Sequence, residues 1–324
     1  MESTAPRVYY CAIGPRYARM AEISAASLRR HSPGVPITLF TDQPVAAGLF
    51  DESIAALPAD NGDFSIKLEK LRVFQRIAPG RGLFLDCDTY IAGDIRPLFS
   101  LMERYDIAVA YDFGRHESRP FGTHMNSGVI VFANNRRTRR LWRLWRERFV
   151  EDPYLGDVIR DQPAFEAALP ASGARLFVLA PEFNLRLEPF GERIAGPVRI
   201  LHGPHGVIED GRAAALAEFL NSESGVRSYD WDTGEMRILE RVATVGNAHL
   251  TRVRVRRFAG AKARDSAALS AMIGQADEGE GHARPVGSDR GRRRLADAQP
   301  AGAAQRAVAG DDRRARRGAA AAGD

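Results

Sequence analysis

The chain of 324 residues is expected to fold as an α/β protein with a Rossmann-like, mostly parallel central sheet flanked by helices. Three observations predict this. The chain opens strand–helix–strand, the unit that builds parallel sheets. Several later runs are short and apolar throughout, as strands buried on both faces are. One such run, Gly82-Leu83-Phe84-Leu85, ends in Asp86-Cys87-Asp88-Thr89, and ligands of open α/β sheets sit beyond the carboxyl ends of such strands.

Taken in order, residues 8–13 (Val-Tyr-Tyr-Cys-Ala-Ile) read as the first strand, broken by Gly14-Pro15. Residues 17–30 read as a helix with apolar or small residues at Met20, Ile23, Ser24, Ser27 and Leu28, ended by Pro33-Gly34. Residues 35–40 form a second strand and residues 54–57 a short third. Residues 64–77 form a helix whose Leu68, Leu71, Phe74 and Ile77 recur near the helical period. Pro79-Gly80 stops it, and the strand with Asp86 and Asp88 follows. Residues 107–111 are a strand with Asp112 at its end, and 113–124 a loop. Met125-Asn126-Ser127-Gly128 reads as a polar turn entering the apolar strand 129–132.

Residues 136–149 are an Arg-crowded helix. Its Trp142, Trp145 and Phe149 fit either a membrane-surface element or an ordinary packing helix with Arg outside. Asp161-Gln162-Pro163 opens a short helix, with Asp161 placed as its N-cap. Residues 175–179 are a strand, Glu182-Phe183-Asn184 begins a loop, and 198–201 is a last strand ending at His202. Residues 210–220 read as a closing helix. This organisation gives a first domain over 1–222, a C-terminal extension over 223–258, and an Arg/Ala/Gly-rich, low-complexity tail over 259–324 expected to be disordered.

Composition is that of a soluble protein, 44% hydrophobic and 27% charged. The formal charge of +5 comes from the end of the chain: residues 251–324 hold 16 Lys/Arg against 9 Asp/Glu, leaving the first 250 residues near −2. The body thus carries no nucleic-acid footprint. Cys11 and Cys87 read as buried, unpaired thiols, which suits a reducing compartment. No apolar run approaches a membrane span, and the N-terminus lacks a secretory pattern, so the expected location is the cytoplasm.

Two Asp one residue apart at a strand end can converge on one hard cation, Mn²⁺ or Mg²⁺, which bridges carboxylates to substrate phosphates. Asp-x-Asp is also common in turns that bind no ion, because Asp bonds nearby backbone N–H groups. His202, after its own apolar strand, either completes a mixed N/O metal site or is a structural loop histidine.

The order apolar-Asp-x-Asp-Thr, Asn-Ser-Gly before an apolar strand, Asp-Gln, Phe-Asn, and a late strand ending in His-Gly resembles family 8 glycosyltransferases, which include glycogenin-like and bacterial lipopolysaccharide galactosyl- and glucosyltransferases. The resemblance spans about residues 7–220. It implies a GT-A fold of the nucleotide-diphospho-sugar transferase type and a divalent metal, Mn²⁺ or Mg²⁺. It further implies a UDP-hexose donor (UDP-glucose or UDP-galactose) and transfer with retention of anomeric configuration. It implies a glycan, lipopolysaccharide or lipid-linked acceptor; with a lipopolysaccharide or lipid-linked acceptor, the helix over 136–149 could rest on the inner membrane face as a peripheral contact. By residue, the resemblance makes Asp86, Asp88 and His202 the metal ligands. It assigns Ala12, Ile13, Gly14 and Tyr17 to the uridine, and Lys67, Asp112, Asn126 and Ser127 to the donor. Asp161 and Gln162 fall near the anomeric carbon. For Asp161 the N-cap role, and for Lys67 a solvated helix position, stand as alternatives. One departure is clear: after His202 the chain reads HGPHGVIED, without the lysine with which the family contacts the diphosphate. His205, Arg199 or Arg212 would have to substitute. Two other readings compete. One is a sugar-nucleotide binder without catalysis. The other is a phosphatase of the haloacid-dehalogenase type, whose Thr usually lies two residues after the second Asp, whereas Thr89 adjoins Asp88.

Overall fold

In the computed structural model, residues 5–111, 124–155, 158–187, 192–245 and 248–260 are described. All lie within the first of two units into which the chain divides, Met1–Met272. The low-complexity tail beyond Gly260 and Asp112 lie outside the described residues.

The chain opens as expected: β1 (Arg7–Ala12), α1 (Pro15–His31), β2 (Ile37–Thr41), β3 (Glu52–Ala55), α2 (Asp63–Arg76) and β4 (Arg81–Leu85). There follow β5 (Thr89–Ile91), β6 (Ile107–Tyr111), β7 (Met125–Ala133), α3 (Arg136–Glu151), the small pair β8 (Tyr154–Leu155) and β9 (Val158–Ile159), α4 (Gln162–Ser172) and β10 (Leu176–Leu179). Seven strands make the main sheet, in the order β10-β6-β7-β4-β1-β2-β3. All pairings in it are parallel except those of β7, which runs antiparallel to both β4 and β6.

The period-two alternation of strands splits the apolar residues between two cores. Val8, Tyr10, Leu83, Leu85, Val129 and Val131 face one core with Met20, Ala21 and Leu28 of α1. Tyr9, Phe84, Ile130 and Phe132 face the other, with α2, α3 and α4. That second core is aromatic: Phe74 stacks on Trp142 at 4.5 Å between ring centroids and meets Phe84 at 4.7 Å. Trp145 meets Phe165 at 4.7 Å. Trp142, Trp145 and Phe149 are all buried. The packing alternative for the Arg-rich helix is therefore the one realised, and these aromatics are not available to a membrane surface. A capping box closes the start of α3: the Asn135 side chain accepts from the backbone of Arg137 and Thr138, and Thr138 reaches back to Asn135.

Beyond β10 come β11 (Leu185–Arg186), β12 (Arg193–Ile194), β13 (Ile200–His202), α5 (His205–Glu209) and α6 (Ala213–Asn221). The expected helix over 210–220 begins at Ala213, because Gly211 at φ 74° separates it from α5. A second, three-stranded sheet, β11-β13-β5, brings His202 beside Thr89. The extension after residue 222 is also structured. Here β14 (Arg227–Asp230), β15 (Glu235–Val245) and β16 (Ala248–Arg257) form a meander with β12. Met236 and Ile238 are buried under it, while the paired face carries Arg252, Arg254 and Arg256 against Glu240 and Glu223. Buried Arg227 ties the meander to the body by donating to Leu220 O, Gly225 O and Gly196 O. Among the described residues no helix is long and apolar enough to cross a membrane.

Candidate active site

The reversed strand β7 is what builds the site. Because it runs against β4 and β6, its first residues lie at the edge where those strands end. Asn126, Ser127 and Gly128, expected in a turn, are therefore strand residues, and all three lie at the buried beginning of β7. The Asp86 N–H donates to Gly128 O at 2.7 Å, which fixes the first carboxylate where β4 gives way to a turn. Thr89 closes that turn with its hydroxyl on Asp86 O at 2.8 Å. Gly203 N donates to Asp88 O at 2.8 Å, joining the end of β13 to the same turn.

Asp86, Asp88 and His202 each offer an atom, all within 4.8 Å of one another. His202 Nε2 lies 3.5 Å from Asp88 Oδ1 and 3.9 Å from Asp86 Oδ2. The ring orientation follows from a directed chain of amides. Gly128 N–H and Asn184 Nδ2 both donate to Asn126 Oδ1, at 2.8 and 3.0 Å. This leaves Asn184 Oδ1 turned to His202 Nδ1, 2.8 Å away, so Nδ1 carries the proton. The Nε2 lone pair then faces the two carboxylates. Three electron-pair donors thus converge on a candidate cation site, with the Arg186 guanidinium 3.3 Å from His202 Nε2. Hard carboxylate oxygens with one imidazole suit Mn²⁺ better than Mg²⁺. The donor chemistry and the tethered histidine thus fit the implied ion.

Charges around the cluster are paired. Lys70 Nζ lies 2.8 Å from Asp86 Oδ1 and 3.1 Å from Asp161 Oδ2. Burial pushes the Lys70 ammonium toward losing its proton, but Asp161 and Asp86 hold it above its ordinary range. The hydrogen bond to Asp88 raises the His205 imidazole against its partial burial, with His205 Nε2 3.4 Å from Asp88 Oδ2.

Asp161 precedes α4 but makes no side-chain cap bond. Its carboxylate turns to Lys70, while its carbonyl accepts the Trp145 indole N–H at 2.8 Å. Asp161 thus holds the expected N-cap position without a side-chain cap bond, its carboxylate being engaged by the buried ammonium instead. Gln162 accepts from Asn126 Nδ2 and donates to Glu166 Oε1, both at 3.4 Å, and Glu166 also lies 3.4 Å from His124 Nδ1. The structure therefore gathers Asp86, Asp88, His202, Asn126, Asp161 and Gln162, with Ser127 buried in the strand between.

Ala12 and Ile13 end β1 at the same edge, and Gly14, at φ 82°, starts α1 while donating its N–H to Asp42 Oδ1 at 2.7 Å. Tyr17 meets the His205 ring edge-on at 5.7 Å. Lys67 is not brought in: Lys70, one turn further along α2, is the lysine that reaches the carboxylates. Both have a buried residue four positions on, Leu71 and Phe74, so helical spacing alone does not separate them. Of the three suggested substitutes for the missing lysine, Arg212 is bound to Asp210 and Gly260 O. Arg199 packs beside Gly93, and only His205 is at the site.

Residues 80–182, which run from the start of β4 to just past β10, match the family model of nucleotide-diphospho-sugar transferases. No curated protein matches the sequence. Among solved structures, the galactosyltransferase LgtC in complex with donor and acceptor sugar analogs is 15% identical, over 67% of this chain and 95% of its own, with a TM-score of 0.48. The glycosyltransferase GlyE of Streptococcus pneumoniae TIGR4 is 16% identical, over 67% of this chain and 63% of its own, also at 0.48. The segment that brings Asp86, Asp88, Asn126 and Asp161 to one edge of the sheet is the one that matches the nucleotide-diphospho-sugar transferase model.

Proposed function

We propose that the protein transfers a hexose from a UDP-sugar to a glycan or lipid-linked acceptor, with a divalent ion, Mn²⁺ before Mg²⁺, and with retention of configuration. The observation that carries this reading is the convergence of Asp86, Asp88 and the tethered His202 beyond the end of β4. An ion held there supplies positive charge where the departing diphosphate develops its negative charge. The chain's own residues supply the rest. Ala12, Ile13, Gly14 and Tyr17 line the edge beside the metal ligands, where a uridine would lie over the end of β1. Asn126 and Ser127 bound the sugar position. Asp161 is paired with Lys70, so it would meet an oxocarbenium-like carbon without repelling the diphosphate. Gln162 is held at both ends of its amide, which fixes the group it presents to the sugar. The domain reading that follows is a catalytic body over residues 1–222, with the meander as an attached extension. Unpaired Cys11 and Cys87 support a cytoplasmic setting.

Calorimetric titration of UDP into the full chain tests this, first with Mn²⁺ and then with EDTA, for wild type and Asp88→Ala. Binding that needs Mn²⁺ and is lost in the variant is the expected result. UDP binding that ignores EDTA, or no binding, would break the reading.

A further inference from the structure

We infer that Arg186 is the cation that receives the donor's diphosphate in this chain, standing in for the lysine absent after His202. The inference rests on the proposed UDP-sugar reading. Two independent features carry it. The first is backbone register: β11 and β13 run parallel with Arg186 opposite His202, so the two side chains leave the same face of the small sheet as neighbours. The second is the side-chain contact: Arg186 Nη1 lies 3.3 Å from His202 Nε2. Since Nδ1 holds the ring proton against Asn184, Nε2 is the acceptor and the guanidinium donates to it. A full positive charge thus sits on the lone pair that faces Asp86 and Asp88.

Charge balance says what that cation is for. Among the described residues of the cluster, Asp86, Asp88 and Asp161 bring three negative charges and Lys70 one positive charge, which is shared between Asp86 and Asp161. A divalent ion cancels the remaining two. A nucleoside-diphosphate sugar then adds two negative charges, and the departing nucleoside diphosphate a third. His205 is engaged with Asp88. Arg186 already reaches the nitrogen an ion would take, so its guanidinium stands beside the place where such an ion would meet phosphates. A guanidinium also matches phosphate oxygens with paired donors, which an ammonium does not.

The test compares wild type, Arg186→Gln and Arg186→Lys as full chains, titrated with Mn²⁺ alone, with UDP plus Mn²⁺, and with uridine plus Mn²⁺. Thermal melting is followed in parallel to verify folding. Arg186→Gln should bind Mn²⁺ at least as tightly as wild type, since a competing cation is gone. Its UDP affinity should fall about tenfold to a hundredfold, the loss expected for a charged hydrogen bond. Uridine, which lacks the phosphates, should bind unchanged, and Arg186→Lys should recover part of the loss. Unchanged UDP affinity in Arg186→Gln would overturn the inference, as would a loss of Mn²⁺ affinity large enough to account for the UDP loss. If wild type takes no UDP with Mn²⁺, the functional reading falls and this inference with it. If wild type binds and the glutamine variant matches it, only the inference falls.

Discussion

Replacing Gly128 by alanine tests whether the geometry at the end of β7 is made for the imidazole. A Cβ built on Gly128 would stand 2.1 Å from His202 Cε1 and 2.8 Å from Asp86 Oδ2. Carbon atoms in ordinary contact are separated by about 3.5 Å. The ring would therefore have to withdraw by about 1.4 Å, with β7 fixed by its neighbours on both sides. Its bond to Asn184, now 2.8 Å, cannot survive a shift of that size in most directions. Overpacking of this kind costs about 1–3 kcal/mol of stability. The proposed metal site should suffer more, since one of its three candidate ligands leaves and its tautomer is no longer set. Losing the outer partner of a metal histidine alone lowers affinity about 10- to 100-fold, and displacing the histidine should exceed that. Electron paramagnetic resonance of free Mn²⁺ during titration reads the affinity, and calorimetric melting reads the stability. A Gly128→Ala protein that melts near wild type and binds Mn²⁺ as tightly as wild type would refute the reasoning.

Asn184→Leu keeps His202 in place but removes its Nδ1 acceptor, so Mn²⁺ affinity should drop about 10- to 100-fold while the fold persists; unchanged affinity would show that the amide chain does not set the ring. Lys70→Met leaves Asp86 and Asp161 facing each other unneutralised, with an expected loss of about 3–5 kcal/mol in urea unfolding. Added Mn²⁺ should return part of that stability, and full stability without metal would dissociate Lys70 from the site. Asp106 sits at the base of β6; burial pushes its carboxyl up, but Arg175, Asn135 and Arg137 win and hold it well below the usual range. A depressed folded value means its stabilisation is complete above about pH 4, the unfolded value, and is lost as pH falls below that. Asp106→Asn should therefore destabilise at pH 7 by about 1–3 kcal/mol and flatten the acid limb of stability against pH; parallel acid limbs would contradict the assignment.

The parallel half of the sheet was legible in the sequence because its signals are local. Pro33-Gly34 and Pro79-Gly80 punctuate the helices, and Leu83, Phe84 and Leu85 are apolar because β4 is covered on both faces. Asp86, Asp88 and His202 were legible for the same reason, as polar residues that end apolar runs. The direction of β7 was not, since an apolar run reads alike in either sense and its polar start reads as a turn. Lys70 escaped because Lys67 shares its spacing, and only the fold shows which ammonium meets Asp161. Arg186 escaped because its meaning comes from register with a strand sixteen residues on. The meander of β14, β15 and β16 was hidden by arginines whose charges are balanced by Glu223 and Glu240, a pairing invisible in composition.

The reversed β7 has a consequence for how the site can fail. Val129 and Val131 belong to one core and Ile130 and Phe132 to the other, and Asn126 and Gly128 lie just before them on the same strand. A slip of one residue would swap every side chain to the wrong face. It would push valines into the space of Ile130 and Phe132 and turn Asn126 away from Asn184 in the same movement. Misregistration of this strand therefore cannot yield a stable but inactive molecule: the hydrophobic layers proofread the position of the catalytic edge, and an error that spoils the site also spoils the fold.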